Sequence, residues 1–193
     1  MSITVTKTRD KLVDVARQLF ARLGFEKTTM NDIAQASNKG RRTLYTYFKN
    51  KEDILLAVIE SEMDQLHKIL AEIVEQNIPA NEKLTAFLYT RLDTMKMIIA
   101  RNGTIRAEFF RDIWRVEKAR KRFNIQEPIL IHKILDKGVE EGVFEIPDIE
   151  ATAYIIHQTL RGLDVPYIRG KMSNTETDRD NVMNLFFNGI KKK

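Results

Sequence analysis

Apolar residues recur along this chain at steps of three and four, and no stretch sustains the alternation in steps of two that a half-buried strand requires. The first stripe, Leu12, Ala16, Leu19, Phe20 and Leu23, predicts a helix over residues 8–23, with Lys11, Asp14, Arg17, Gln18 and Arg22 facing water. Gly24 follows as a natural left-handed C-cap, and Phe25 can fold back onto the helix. Thr28 or Thr29 then offers an N-cap, with Asp32 three residues beyond Thr29 supplying first-turn negative charge. Met30, Ile33 and Ala34 give a short second helix its buried face. Ser37-Asn38 breaks it, because asparagine tolerates the left-handed backbone of a tight turn. A third short helix, residues 40–47, buries Leu44 and Phe48. Asn50 caps a long fourth helix, whose stripe of Ile54, Leu55, Val58, Ile59, Met63, Leu66, Ile69, Leu70 and Ile73 runs on toward Pro79, where the helix is expected to end.

Beyond Pro79 the pattern predicts helices near residues 81–101, 104–115, 118–141, 148–168 and 174–190, punctuated by Asn102-Gly103, Gly142 and Ile146-Pro147-Asp148. Pro128 falls inside the third of these segments and predicts a kink or a split; Pro166 is expected to end the next helix. Four prolines and eight glycines leave long helices few interruptions. The fold class is therefore all-α. Three N-terminal helices with a short second-to-third connection form a helix-turn-helix layout, and a long fourth helix joins them to a larger helical body. The expected boundaries are residues 1–50, 51–79 and 80–193.

Charge sharpens this picture through its placement. Of a net charge of +5, residues 1–60 hold 11 Lys/Arg against 7 Asp/Glu, a balance of +4, which leaves +1 for the rest. Lys39, Arg41, Arg42, Lys49 and Lys51 fall within residues 39–51, where no acidic residue interrupts them. A cationic patch on a nearly neutral body suits a polyanion such as DNA, although charge alone leaves open an ordinary solvated surface.

The residues between Thr28 and Leu55, TTMNDIAQASNKGRRTLYTYFKNKEDIL, settle more. This stretch resembles the signature of the TetR (tetracycline-repressor-type) family: a Thr-rich start, "DIA", a turn, then "TLYxYFxxKxxLL". Here these are Asp32-Ile33-Ala34, then Thr43-Leu44-Tyr45-Thr46-Tyr47-Phe48, then Lys49 through Leu56. Ala16, Leu19, Phe20, Gly24, Phe25 and Thr28 fill the upstream frame, so the likeness covers residues 8–60 without a gap. The chain departs from the usual "AGVSKGTLY" turn, with Asn38 for glycine, Lys39 for an apolar residue, Gly40 for the Ser cap, and two consecutive arginines after it.

The resemblance implies a ligand-responsive transcriptional regulator, most often a repressor, that binds a palindromic operator in double-stranded DNA as a homodimer and is released by a small-molecule effector. Phe20, Phe25, Ile33, Leu44 and Phe48 read as packing. Arg41, Arg42, Thr43 and Thr46 lie at or near the half of the third helix that would enter the major groove, where arginine pairs bidentately with guanine. Lys39 suits a phosphate, with Gly40 at the start of the recognition helix. Tyr45 and Tyr47 are family-typical backbone contacts. Thr28, Thr29, Lys49 and Lys51 complete the expected DNA-binding set, the helix N-termini offering amides to phosphate.

The body is less explicit. In the family the last two helices close the dimer; here those segments bring Tyr154, Ile155, Thr159 and Leu163 together with Val182, Leu185 and Phe186. Two copies are also a physical requirement, since one short recognition helix makes too few base contacts to define an operator. The effector pocket of such a body is expected among Phe87, Tyr89, Arg91, Met95, Met97, Phe109, Phe110, Trp114, Ile131, His132, Leu135, Tyr154 and His157. A stripe of aromatics and methionines at helical spacing serves equally well as core, and His132 and His157 as hydrogen-bonded core or surface histidines.

Other classes find little support. The chain has no cysteine, only His67, His132 and His157 as histidines, and no phosphate-cradling glycine loop, nucleophile elbow or HExxH. Catalysis, a metal site and a resident cofactor are therefore not expected. No run reaches the roughly 20 apolar residues a bilayer span needs, and the polar N-terminus lacks a secretory h-region; a cytoplasmic protein without membrane contact is expected.

Overall fold

A computed structural model describes the backbone of residues 3–101, 113–168, 181–184 and 187–188. Among these residues the chain is helical without strands: α1 (Ile3–Leu23), α2 (Met30–Ala36), α3 (Arg41–Tyr47), α4 (Lys51–Val74), α5 (Ala80–Arg101), α6 (Ile113–Glu140) and α7 (Ile149–Ile168), with residues 181–184 and 187–188 helical as well. Two compact units divide this path, one of Met1–Met63 with Ile98–Lys121, the other of Asp64–Met97 with Arg122–Lys193.

In the first unit α2 packs on α1 and α3 around Leu12, Ala16, Phe20, Phe25, Ile33, Leu44 and Phe48, all buried. The rings of Phe20 and Phe25 lie 5.3 Å apart, so the residue after Gly24 does fold back, and Gly24 adopts the left-handed φ of 85°. Charge ties α1 to the first half of α4. Arg17 reaches Ser61 at 2.9 Å and the fully buried Glu62 at 3.0 Å, the latter off the line of a hydrogen bond, while Arg9 approaches Glu60 at 3.8 Å.

α1 begins five residues earlier than the apolar stripe indicates, because its opening turns precede Leu12, the first residue of the stripe. The end of α4 also differs. It stops at Val74, whose carbonyl accepts from Lys83 Nζ at 2.8 Å, and Pro79 immediately precedes the next helix as its N-cap: its carbonyl takes the Lys83 amide at 3.0 Å. That carbonyl accepts the first backbone bond of α5, so Pro79 marks a helix start here rather than a stop.

The second unit is built on Leu66, Leu70, Leu84, Phe87, Leu88, Ile131, Leu135, Ile156 and Leu160, all buried. Glu141, past the end of α6, reaches across to cap α5, its Oε2 accepting the Ala80 amide at 2.9 Å. α6 is one helix through the break expected near residue 116 and through Pro128, which neither splits nor ends it. α7 likewise continues past Pro166 to Ile168. Each proline removes one N–H, which the rest of a long packed helix outweighs. At the end of α6 Gly142 is left-handed (φ 69°), and Phe144 is tucked against Gly138, whose carbonyl accepts both Val143 N and Phe144 N. Phe144 also stacks on Phe187 at 6.3 Å.

Candidate nucleic-acid interface

The turn motif is assembled by local bonds that the sequence specifies. Thr29 Oγ1 accepts the Asp32 amide at 3.2 Å while Asp32 Oδ2 accepts both the Thr29 amide and its hydroxyl at 2.8 Å, a reciprocal capping box at the start of α2. These bonds, the hydroxyl first, hold the Asp32 carboxyl below the usual carboxylate range. At the other end Ser37 caps α2, its hydroxyl donating to Ala34 O at 2.9 Å, and Asn38 takes the left-handed conformation (φ 53°). Lys39 N then returns to Ala34 O at 3.0 Å. Asparagine in the place of the family's glycine therefore keeps the turn.

Gly40 caps α3 in an extended conformation with no side-chain bond. Leu44 and Phe48 are buried under the helix, and this orientation leaves Arg41, Arg42, Tyr45 and Thr46 exposed together on the opposite face. Thr46 Oγ1 donates to Arg42 O at 2.9 Å, so its hydroxyl keeps acceptor capacity toward solvent. Thr43, Tyr47 and Lys39 are half-buried, and Lys49 and Gly40 are exposed. Among the described residues no carboxylate pairs with Lys39, Arg41, Arg42 or Lys49; the reading in which the two arginines only bridge within the domain finds no partner there.

Two members of the expected set are placed elsewhere. Thr28 is fully buried, its hydroxyl donating to Gly24 O at 2.8 Å, so it locks the turn after α1 and presents nothing to DNA. Lys51, the first residue of α4, directs its ammonium to the carbonyls of Phe25 at 2.6 Å and Glu26 at 3.3 Å.

In the second unit the described residues nominated for an effector pocket differ in burial. Phe87, Arg91, Met95, Leu135 and His157 are core, Tyr154 is 57% exposed and His132 half-buried. Phe109 and Phe110 lie outside the described residues, as does the side chain of Trp114. A cleft of about 630 Å³ opens beside α6 and α7, lined by Pro128, Ile129, His132, Asp148, Glu150, Ala151, Ala153 and Tyr154, so only His132 and Tyr154 of the nominated set border it.

Arg91 is corrected most clearly, because its guanidinium is already engaged rather than waiting for an acidic effector. Nε donates to Glu127 Oε1 at 2.9 Å, and Nη1 and Nη2 clasp Asp164, the latter at 3.2 Å. Glu127 Oε2 meets His157 Nδ1 at 2.6 Å. All four side chains are buried. Burial alone would push the Glu127 carboxyl up, but the charge of Arg91, aided by His157, holds it below its ordinary value; Asp164 and Glu127 in turn raise the guanidinium above its own. Neither Glu127 nor Asp164 is among the residues that the sequence singles out. The signal was present: Glu127 follows Phe123 and precedes Ile131 at steps of four, and Asp164 follows Leu160 in the same way.

Of the expected dimer residues, Tyr154, Ile155 and Thr159 are exposed along α7, Leu163 and Val182 are half-buried, and Leu185 and Phe186 lie outside the described residues.

A three-helix core that presents a short basic helix after a left-handed turn defines a helix-turn-helix DNA-binding protein. Residues 12–58 match the family of bacterial regulatory proteins, tetR family. The chain is 27% identical over 154 residues to the uncharacterized HTH-type transcriptional regulator YfiR of Bacillus subtilis (strain 168), a match covering 75% of this chain and 74% of that protein. It is 25% identical over 191 residues to the HTH-type transcriptional regulator QacR of Staphylococcus aureus, covering 95% and 98%. The structure of the SmeT–triclosan complex superposes with a TM-score of 0.69 at 17% identity, over 97% of this chain and 93% of that one, a likeness of fold. Residues 12–58 therefore carry the DNA-binding region of the tetR family of bacterial regulatory proteins, and the relatives that match over most of the chain are transcriptional regulators.

Proposed function

We propose that this regulator is a repressor that binds a palindromic operator as a homodimer and leaves it when a small molecule binds the body. The observation that carries the DNA reading is the face of α3 on which Arg41, Arg42, Tyr45 and Thr46 are exposed together over buried Leu44 and Phe48. Residues 1–50 would read DNA, 51–79 link, and 80–193 bind effector and dimerise. Apolar exposure on α7 supports the dimer: Tyr154 and Ile155 are 57% and 62% accessible, and Thr159, one turn beyond Ile155, is exposed as well. The effector reading leans on the fold shared with a protein solved with triclosan; no resident cofactor is part of it. No helix among the described residues is long and apolar enough to cross a membrane, and the cytoplasm is the proposed location.

Selection of bound duplexes from a random pool at fixed salt tests the whole reading. A two-fold-symmetric consensus is expected; a sequence-blind pool would reject it. On the recovered site, Arg42→Ala is expected to weaken discrimination by about 1–3 kcal/mol. Lys49→Ala should weaken all duplexes alike and lower the salt slope by about 0.9. Equal losses on operator and mixed-sequence DNA for both variants would remove the assignment. Ile155→Glu is expected to shift sedimentation from dimer toward monomer while the helical content stays intact; an unchanged dimer would move the interface off α7. An effector acts only through unequal affinity for the DNA-competent and released states. Compounds that bind the protein but leave operator affinity unchanged are therefore not inducers.

A further inference from the structure

Lys51 opens α4, yet its charge is turned back into the protein. Nζ donates to Phe25 O at 2.6 Å and to Glu26 O at 3.3 Å, and it sits 4.3 Å from the centroid of the Phe25 ring. Two of the three ammonium donors are thus committed, one of them in a short charge-assisted bond, with an aromatic face beneath the charge. That ring is itself buried and packed on Phe20.

The accepting carbonyls belong to the loop that leaves α1 and launches α2. In the same loop Thr28 is bonded to Gly24 and Thr29 builds the capping box of α2. Lys51 therefore fastens the start of α4 to the start of the α2–α3 pair. Lys49, two residues earlier, has an exposed side chain with no carboxylate partner among the described residues. To reach a phosphate, Lys51 would have to release both carbonyls and the ring; Lys49 has nothing to release.

We infer that Lys51 is a positioning residue of the DNA-binding unit and not one of its phosphate contacts: it fixes the α1–α2 loop on α4 so that α3 is presented in one orientation. The inference rests on the DNA-binding reading above, and the experiment separates the two. Binding of the full chain and of Lys51→Met, Lys51→Gln and Lys51→Arg is measured as a function of salt. The probes are a duplex recovered by selection and a mixed-sequence duplex of equal length.

A positioning role predicts that the salt slope of Lys51→Met stays at the wild-type value. Its preference for the selected duplex should fall on the order of tenfold, toward nonspecific binding. Arginine, which can still donate to both carbonyls and stack on Phe25, should restore the preference. Glutamine, neutral and still a donor, serves where methionine does not fold. A slope reduced by about 0.9 with the preference intact would make Lys51 a phosphate contact and overturn the proposal. Unchanged slope with unchanged preference would overturn it as well. If the wild-type protein itself shows no preference between duplexes, the operator reading fails, and the slope alone then decides Lys51.

Discussion

Replacing Arg91 with methionine is expected to destabilise the second unit by about 3–5 kcal/mol, because it leaves Glu127 and Asp164 buried without their cation. The substitution keeps most of the side-chain volume, so the loss reports the charge and not a cavity. Urea unfolding followed by circular dichroism measures it, and a midpoint within error of the wild type would show that the clasp contributes nothing. Replacing Arg91, Glu127 and Asp164 together by apolar residues should recover much of the loss, since no charge then remains to be solvated.

The same cluster sets a pH dependence. The folded chain holds the Glu127 carboxyl below its ordinary value of 4.5, so its contribution is complete above that pH and is lost as the pH falls through the folded-state value. In Arg91→Met burial would push that carboxyl up instead. The gap between wild type and variant is therefore expected to be widest near neutrality and to narrow in acid. A gap that widens below pH 4.5 would contradict the assignment.

Gly138→Ala is the second large effect, and its sign is opposite to what helix propensity suggests. Alanine in a helix interior is worth about 1 kcal/mol over glycine. At this position, however, a methyl group would fall closer than 3.0 Å to the Phe144 ring. That ring is 2% exposed and stacked on Phe187, and its backbone is tied by the Val143 and Phe144 amides to Gly138 O, so a shift of the ring disturbs packed neighbours. A net destabilisation of about 1–3 kcal/mol is expected by thermal or urea unfolding. Phe144→Leu in the same background should return part of it, the coupling expected of residues in contact. A stabilised Gly138→Ala would mean that the ring does not sit over the helix.

Features that depend on near neighbours were readable from the chain. The capping box needs only Thr29 and Asp32, and the left-handed turn only Asn38; both are local bonds that form wherever the helix ends fall. The exposed face of α3 followed from burial of Leu44 and Phe48. Features that depend on distant partners were not. Arg91, Glu127 and Asp164 lie on three different helices, 36 and 73 residues apart along the chain, and a charged residue on an apolar stripe reads as an irregularity until its partners are known. Thr28 and Lys51 match the family pattern equally well as DNA contacts or as struts, and only their carbonyl partners tell the two apart. A proline punctuates equally well from either side, so the pattern around Pro79 does not tell a helix stop from a helix start.

The buried Glu62 has a consequence for anyone wishing to rewire this regulator. α2 and α3 have seven residues each, too few to persist as isolated helices, so the reading head cannot be lifted out as a peptide. A hybrid that joins it to a foreign sensor just after residue 50 would leave Arg17 facing whatever that sensor places at position 62, and would strip the loop before α2 of Lys51. The transplantable cassette extends at least to Met63, thirteen residues past the last residue of the DNA-reading motif, and the compact unit that holds it also takes in Ile98–Lys121.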